Sequence, residues 1–200
     1  MRLYGFPGTR TFRIRWMLEE LGAPYEYEHV EVTKGAHKQP AHLELHPHGR
    51  VPVFEDGDLR FIESCAAVLH LADKYPEQKL APAVGSRERG LYYQFIVYAA
   101  STLDDAAVQT YFHKVLLPVE RRSNDVVEKH APTLATAISL LERALQGSSY
   151  LCGDAFTAAD VAVGYALNLA DQAGALDTAD NSKAYMARLR ARPAYGRVYG

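Results

Sequence analysis

Apolar residues change their spacing once along this chain. Arg2 to Phe6 makes a short strand, Pro7-Gly8-Thr9 breaks it, and Ile14, Met17, Leu18 and Leu21 then recur at i, i+3, i+4 and i+7. That spacing is one face of a helix, which Gly22 closes with Pro24 following. Tyr25 to Val32 predicts a second strand, and Val51-Pro52-Val53-Phe54 with Leu59-Arg60-Phe61-Ile62 predicts a hairpin around Glu55-Asp56-Gly57-Asp58. Cys65, Val68, Leu69 and Ala72 restore the helical period. Strand-helix-strand followed by strand-strand-helix calls for a right-handed crossover into one sheet covered by helices.

From Ser86 onward the spacing is helical throughout. Leu91, Phe95, Tyr98 and Thr102 mark one long helix, Leu134, Ile138, Leu141 and Leu145 another, and a third begins after Phe156. Between the two regions lies Tyr75 to Gly85, whose two prolines and closing glycine read as a linker. The expected organisation is an α/β unit over 1–76, a linker over 77–85 and an all-helical unit over 86–200. Thr157-Ala158-Ala159-Asp160 has the pattern of a capping box, with Asp in place of the usual Glu, so Asp160 is expected to serve the fold.

Composition narrows the classes of function. With 48% hydrophobic and 23% charged residues, the 200-residue chain can bury a sizeable core, which excludes disorder and coiled-coil readings. Lys plus Arg is 22 and Asp plus Glu 24, a formal charge of −2, which leaves no field to recruit nucleic acid or an anionic membrane. The apolar runs fall short of the roughly 20 residues of a bilayer span, and Met1 leads into Arg-Leu-Tyr-Gly-Phe without a signal-peptide core. A cytoplasmic protein with a small-molecule ligand is expected. Cys65 and Cys152 are far apart in apolar context and are expected as buried thiols.

Three stretches carry candidate chemistry. In Pro47-His48-Gly49-Arg50-Val51-Pro52-Val53-Phe54, Pro52 stands at a strand start where it cannot donate to a ladder. Either a trans proline enters an edge strand, or a cis Val51–Pro52 bond turns the Val51 backbone outward to pair with an extended, peptide-like ligand. Glu63-Ser64 opens a helix, as a plain cap or as a site where the Ser64 hydroxyl and helix N–H groups take a ligand carboxylate while Glu63 accepts from its ammonium group. Gly8-Thr9-Arg10-Thr11 joins the first strand to the first helix, where hydroxyls either cap the helix or stabilise a thiolate. Lowering a thiol pKa by about two units corresponds to roughly 2.7 kcal/mol. His37, His42, His46 and His48 lack an accompanying Cys cluster or a helical His-x-x-x-His, so solvated loop histidines are expected and no metal.

Together these stretches resemble the cytosolic glutathione transferases, of the bacterial theta-, phi- or nu-like kind, over essentially the whole chain. The residues carrying the resemblance are Leu3-Tyr4-Gly5, Arg13-Ile14-Arg15 through Gly22, Gly35 to Leu43, Pro47 to Pro52, Glu63-Ser64 and Phe156 to Asp160, in that order and spacing. It implies a thioredoxin-like α/β N-terminal domain followed by an all-α C-terminal domain. It also implies glutathione as co-substrate, with the Val51 backbone on its cysteinyl part ahead of a cis Pro52, and Glu63 and Ser64 on its γ-glutamyl end. By the same resemblance, His37 and Lys38 lie near its glycyl carboxylate, with Arg50 assisting. Relatives of this kind carry a serine in the first turn; here Thr9, four residues before Arg13, takes that place, with Thr11 second.

The implied activity is transfer of glutathione to a small electrophile by a homodimer. Tyr98, Thr102 and Tyr111 are the candidates for the second-substrate pocket. Because the chain stops at Arg192 to Gly200, no added C-terminal helix is expected to roof that pocket. Alternatives are a glutathione-binding protein with little transferase activity, and a glutathione-dependent peroxide or disulfide reductase or isomerase. The first turn contains no cysteine, which argues against mixed-disulfide chemistry of the omega or beta type.

Overall fold

The structure, a computed structural model, describes residues 1–199. It divides into two compact units, one formed by Met1–Lys79 together with residues 193–199, the other by Leu80–Arg192.

The first unit is built on a four-stranded mixed sheet. Its strands are β1 (Arg2–Gly5), β2 (Glu26–His29), β3 (Val53–Asp56) and β4 (Leu59–Phe61), in the order β2-β1-β3-β4. β1 runs parallel to β2, reached through α1 (Thr11–Leu21), and antiparallel to β3, with Tyr4 opposite Val53. Leu3, Ile14, Met17, Leu18, Val53, Phe54, Val68 and Leu71 are all buried, so the predicted periodic positions of helix and hairpin form one core. Each such side chain contributes roughly 1.5–3 kcal/mol by leaving water. A one-turn helix, α2 (Pro40–Leu43), follows two 3₁₀ turns at Val32–Lys34 and Ala36–Lys38. α3 (Ser64–Lys74) then packs against α1, β3 and β4.

The second unit contains α4 (Arg87–Tyr98), α5 (Asp104–Tyr111), α6 (Asn124–Ala144), α7 (Ala158–Gln172) and α8 (Asp180–Arg190). π-helical turns at Ala99–Leu103 and Phe112–Leu116 carry α4 and α5 onward as one continuous helical run. Every residue of α7 from Ala158 to Ala170 is buried. A helix apolar all round is a core element, and α4, α5 and α8 pack around this one. Its start is the capping box: Asp160, with no exposed surface, accepts from the Thr157 N–H at 2.7 Å and hydroxyl at 3.1 Å, the Leu151 N–H at 3.1 Å and the Tyr185 hydroxyl at 2.8 Å. Burial pushes its carboxyl up against the pull of these four donors.

Two boundaries differ from the sequence reading. Leu80, placed in the linker, is buried in the second unit, where its carbonyl accepts from the Ala158 N–H at 2.8 Å. Residues 193–199, assigned to the helical unit, form α9 (Pro193–Tyr199) but pack on α1 of the first unit. Aromatic contacts are the reason. Trp16 meets Tyr195 edge-on at 5.1 Å, Phe12 meets Tyr199 at 4.6 Å, and Arg197 pairs with Glu19 at 2.6 Å.

Candidate functional site

The turn from β1 into α1 is held by its own hydroxyls. The Phe6 N–H donates to Thr11 Oγ1 at 3.3 Å, the Thr11 N–H to Thr9 Oγ1 at 3.3 Å, and the Thr9 hydroxyl to the Phe6 carbonyl at 2.6 Å. The two hydroxyl oxygens lie 2.8 Å apart. Thr9 keeps partial exposure, whereas Thr11 has none. Thr11 sits under the turn because β1 offers it a glycine: a Cβ on Gly5 would fall 2.1 Å from Thr11 Cγ2. Of the two candidate threonines, only Thr9 presents surface to a ligand, and Thr11 as a group that touches sulfur is corrected by its burial.

The Val51–Pro52 peptide is cis. Val51 stands outside the ladder, whose first β3 pair is Val53 with Tyr4, and Pro52 is buried beneath it. Histidines fasten the loop that delivers this pair. His42 Nε2 bonds the Arg50 carbonyl at 2.8 Å, and His46 Nδ1 accepts from the His48 N–H at 3.3 Å. His42 and His46 are thus buried, not solvated as the sequence suggested, and burial holds His46 below the ordinary imidazole range. No group of three or more His, Cys, Asp or Glu side chains able to hold a metal occurs among the described residues.

The 36–38 turn crosses this loop at Gly49, where a Cβ would meet the His37 carbonyl at 2.8 Å and Lys38 Cδ at 2.9 Å. Lys38 Nζ donates to the His48 carbonyl at 3.0 Å. His37 keeps Nδ1 buried and without a hydrogen-bond partner, and Arg50 is exposed. The sequence candidates His37, Lys38, Arg50 and Val51 therefore belong to one interlocked pair of loops.

Glu63 is the N-cap residue of α3, in extended conformation, and its side chain makes no capping bond. Its carboxylate is exposed. Ser64, one position on, is buried, and its hydroxyl accepts from Arg13 Nη1 at 3.4 Å. Arg13, on α1 and only 1% exposed, joins the candidate site through Ser64, and sequence reasoning did not assign it there. The signal was available: Arg13 lies four residues before Met17 on the buried stripe, and a guanidinium there needs a polar partner.

The second-substrate candidates lie in the helical unit. Tyr98 is half-buried at the end of α4, where Tyr93, Gln94, Val97, Tyr98 and Ser101 line a shallow depression of about 490 Å³, and burial pushes its phenol up. Thr102, in the first π turn, lies 3.3 Å from the Ser101 hydroxyl, and Tyr111 ends α5 edge-on to Phe112; neither lines that depression. Cys65 and Cys152 are buried free thiols, and burial pushes Cys152 up to about 11. No helix among the described residues is long and apolar enough to cross a membrane.

Comparison with known proteins gives one consistent answer. Residues 1–73 match the family model of the glutathione S-transferase N-terminal domain and residues 124–196 that of the C-terminal domain. The chain is similar to glutathione S-transferase 3 of Zea mays, 33% identical over 98% of this chain and 91% of the relative. Among solved structures it resembles glutathione S-transferase III in its apo form, with a TM-score of 0.85, 31% identity, and coverage of 98% and 94% of the two chains. It also resembles a glutathione transferase of Burkholderia graminis with two glutathione molecules bound per subunit, with a TM-score of 0.87, 25% identity, and coverage of 99% and 86%.

Proposed function

Because the chain belongs to the glutathione S-transferase family, we propose that it binds reduced glutathione on its first unit, ionises the thiol beside Thr9 and delivers the thiolate to a small electrophile. The observation that carries this reading is the start of α3. An exposed carboxylate with no capping bond, Glu63, stands next to a buried hydroxyl, Ser64, at a helix N-terminus. An α-amino acid head group has the complementary pair of charges: its ammonium goes to Glu63, its carboxylate to Ser64 and the helix N–H groups. Arg13 behind Ser64 adds positive charge on the carboxylate side.

The rest of the tripeptide follows from this anchor. The cysteinyl backbone pairs with Val51 ahead of the cis Pro52, and the glycyl carboxylate lies toward His37, Lys38 and Arg50. The unpartnered His37 Nδ1 and the exposed Arg50 support that placement. The thiol releases its proton to solvent, the Thr9 hydroxyl donates to the sulfur that remains, and that sulfur attacks the electrophilic carbon as the leaving group departs with the bonding pair. Tyr98, Thr102 and Tyr111 are proposed for the electrophile.

A homodimer in the cytoplasm completes the proposal. Sedimentation would detect the pairing of copies. Mixing protein, glutathione and a chloro-nitrobenzene electrophile tests the activity. Conjugate formation is expected. Glutathione binding without turnover would favour a binding protein, and turnover only with a peroxide or disulfide would favour a reductase.

A further inference from the structure

Two hydroxyl hydrogens must be placed among three oxygens at the start of α1. Thr9 Oγ1 lies 2.6 Å from the Phe6 carbonyl and 2.8 Å from Thr11 Oγ1. Thr11 is fully buried, its oxygen already accepts the Phe6 N–H, and the one acceptor within reach of its hydrogen among the described residues is Thr9 Oγ1. Were Thr9 to donate to Thr11, the Thr11 hydrogen would be buried with no acceptor. The arrangement that serves both hydrogens runs one way, from the Phe6 N–H to Thr11, from the Thr11 hydroxyl to Thr9, and from the Thr9 hydroxyl to the Phe6 carbonyl.

Thr9 Oγ1 then accepts twice, from the Thr11 hydroxyl and from the Thr11 N–H at 3.3 Å. A hydroxyl oxygen has two lone pairs, so both are filled. Toward an approaching atom Thr9 has only its hydrogen to offer, in transfer from the Phe6 carbonyl. A thiolate can take that hydrogen. A thiol looking for an acceptor for its own S–H finds none on Thr9.

We propose that Thr11 is the positioning residue that fixes Thr9 as a donor and thereby sets the ionisation of the bound thiol, an inference that rests on the proposed role of Thr9. Donation from Thr11 also polarises the Thr9 hydroxyl, since hydrogen bonds in a chain strengthen one another. Gly5 holds the device in register, because the Thr11 side chain fills the space a Cβ would need.

The test is the ultraviolet absorbance of bound glutathione thiolate, titrated against pH, in four variants. Thr11→Val keeps the shape and removes the hydroxyl; it should raise the thiol pKa by about one unit, a tenfold loss of thiolate below the pKa. Thr11→Ser, which keeps the hydroxyl, should titrate near the unsubstituted protein. Thr9→Val should raise the pKa further, and Thr9→Val/Thr11→Val should match Thr9→Val alone, because Thr11 acts through Thr9. An unchanged titration in Thr11→Val beside a raised one in Thr9→Val would overturn the inference and leave the role of Thr9 standing; no change in either would remove both. Neutron diffraction of the unsubstituted protein reads the same point without a variant. Deuterium on Thr11 Oγ1 directed at Thr9 is expected, and any other direction overturns the proposal.

Discussion

The helices α7 and α3 each begin beside a carboxylate, and the two carboxylates are used in opposite ways. At α7, Asp160 turns back on its own N-terminus, is completely buried and accepts four hydrogen bonds. At α3, Glu63 stands at the N-cap itself, points to solvent and makes no capping bond. A helix start that its own chain saturates has nothing left for a ligand and serves the fold. One left open keeps its field and its donors for something else.

Substitutions can break this contrast. The largest effect is expected at Asp160. Asp160→Ala strands several buried donors at once and should cost about 3 kcal/mol or more of stability, while the folded fraction keeps its affinity for glutathione. Urea unfolding and calorimetry read the two quantities separately, and lost affinity with unchanged stability would erase the distinction between the two helix starts. Ser64→Ala should show the reverse weighting. Glutathione binding is expected to weaken by about 1–2 kcal/mol, with a smaller loss of stability as Arg13 gives up an acceptor.

The smallest effect sharpens the comparison with a carboxylate away from either start. Burial raises the Asp56 carboxyl, but hydrogen bonds from His70 at 2.7 Å and Lys74 at 2.5 Å outweigh it, and the net position is below the ordinary range. Because the folded pKa is depressed, the stability it contributes is present above about pH 4 and is lost as pH falls through the folded value. The acid limb of the Tm–pH curve should therefore flatten in Asp56→Asn; an unchanged curve would remove Asp56 from it.

The stripe Ile14, Met17, Leu18 and Leu21 was readable because its spacing belongs to the helix alone, and the hairpin was readable because Glu55 to Asp58 is turn chemistry. Arg13 was harder. Its spacing from Met17 puts it on the buried stripe, but its partner there, Ser64, is distant in sequence. His42 and His46 look like loop histidines until the Arg50 carbonyl and the His48 N–H come round to them. The choice between Thr9 and Thr11 turns on which hydroxyl lies above the other, and that is decided by packing on Gly5. The membership of α9 in the first unit escaped because the partner that Tyr195 packs on, Trp16, is far away in sequence.

The return of α9 to the first unit makes that unit discontinuous, with the helical unit inserted between its pieces. A chain emerging from the ribosome exposes the α1 surface around Trp16 long before Tyr195 and Tyr199 exist to cover it. The sheet unit is started first, and its surface around Trp16 is covered only after the helical unit has been made.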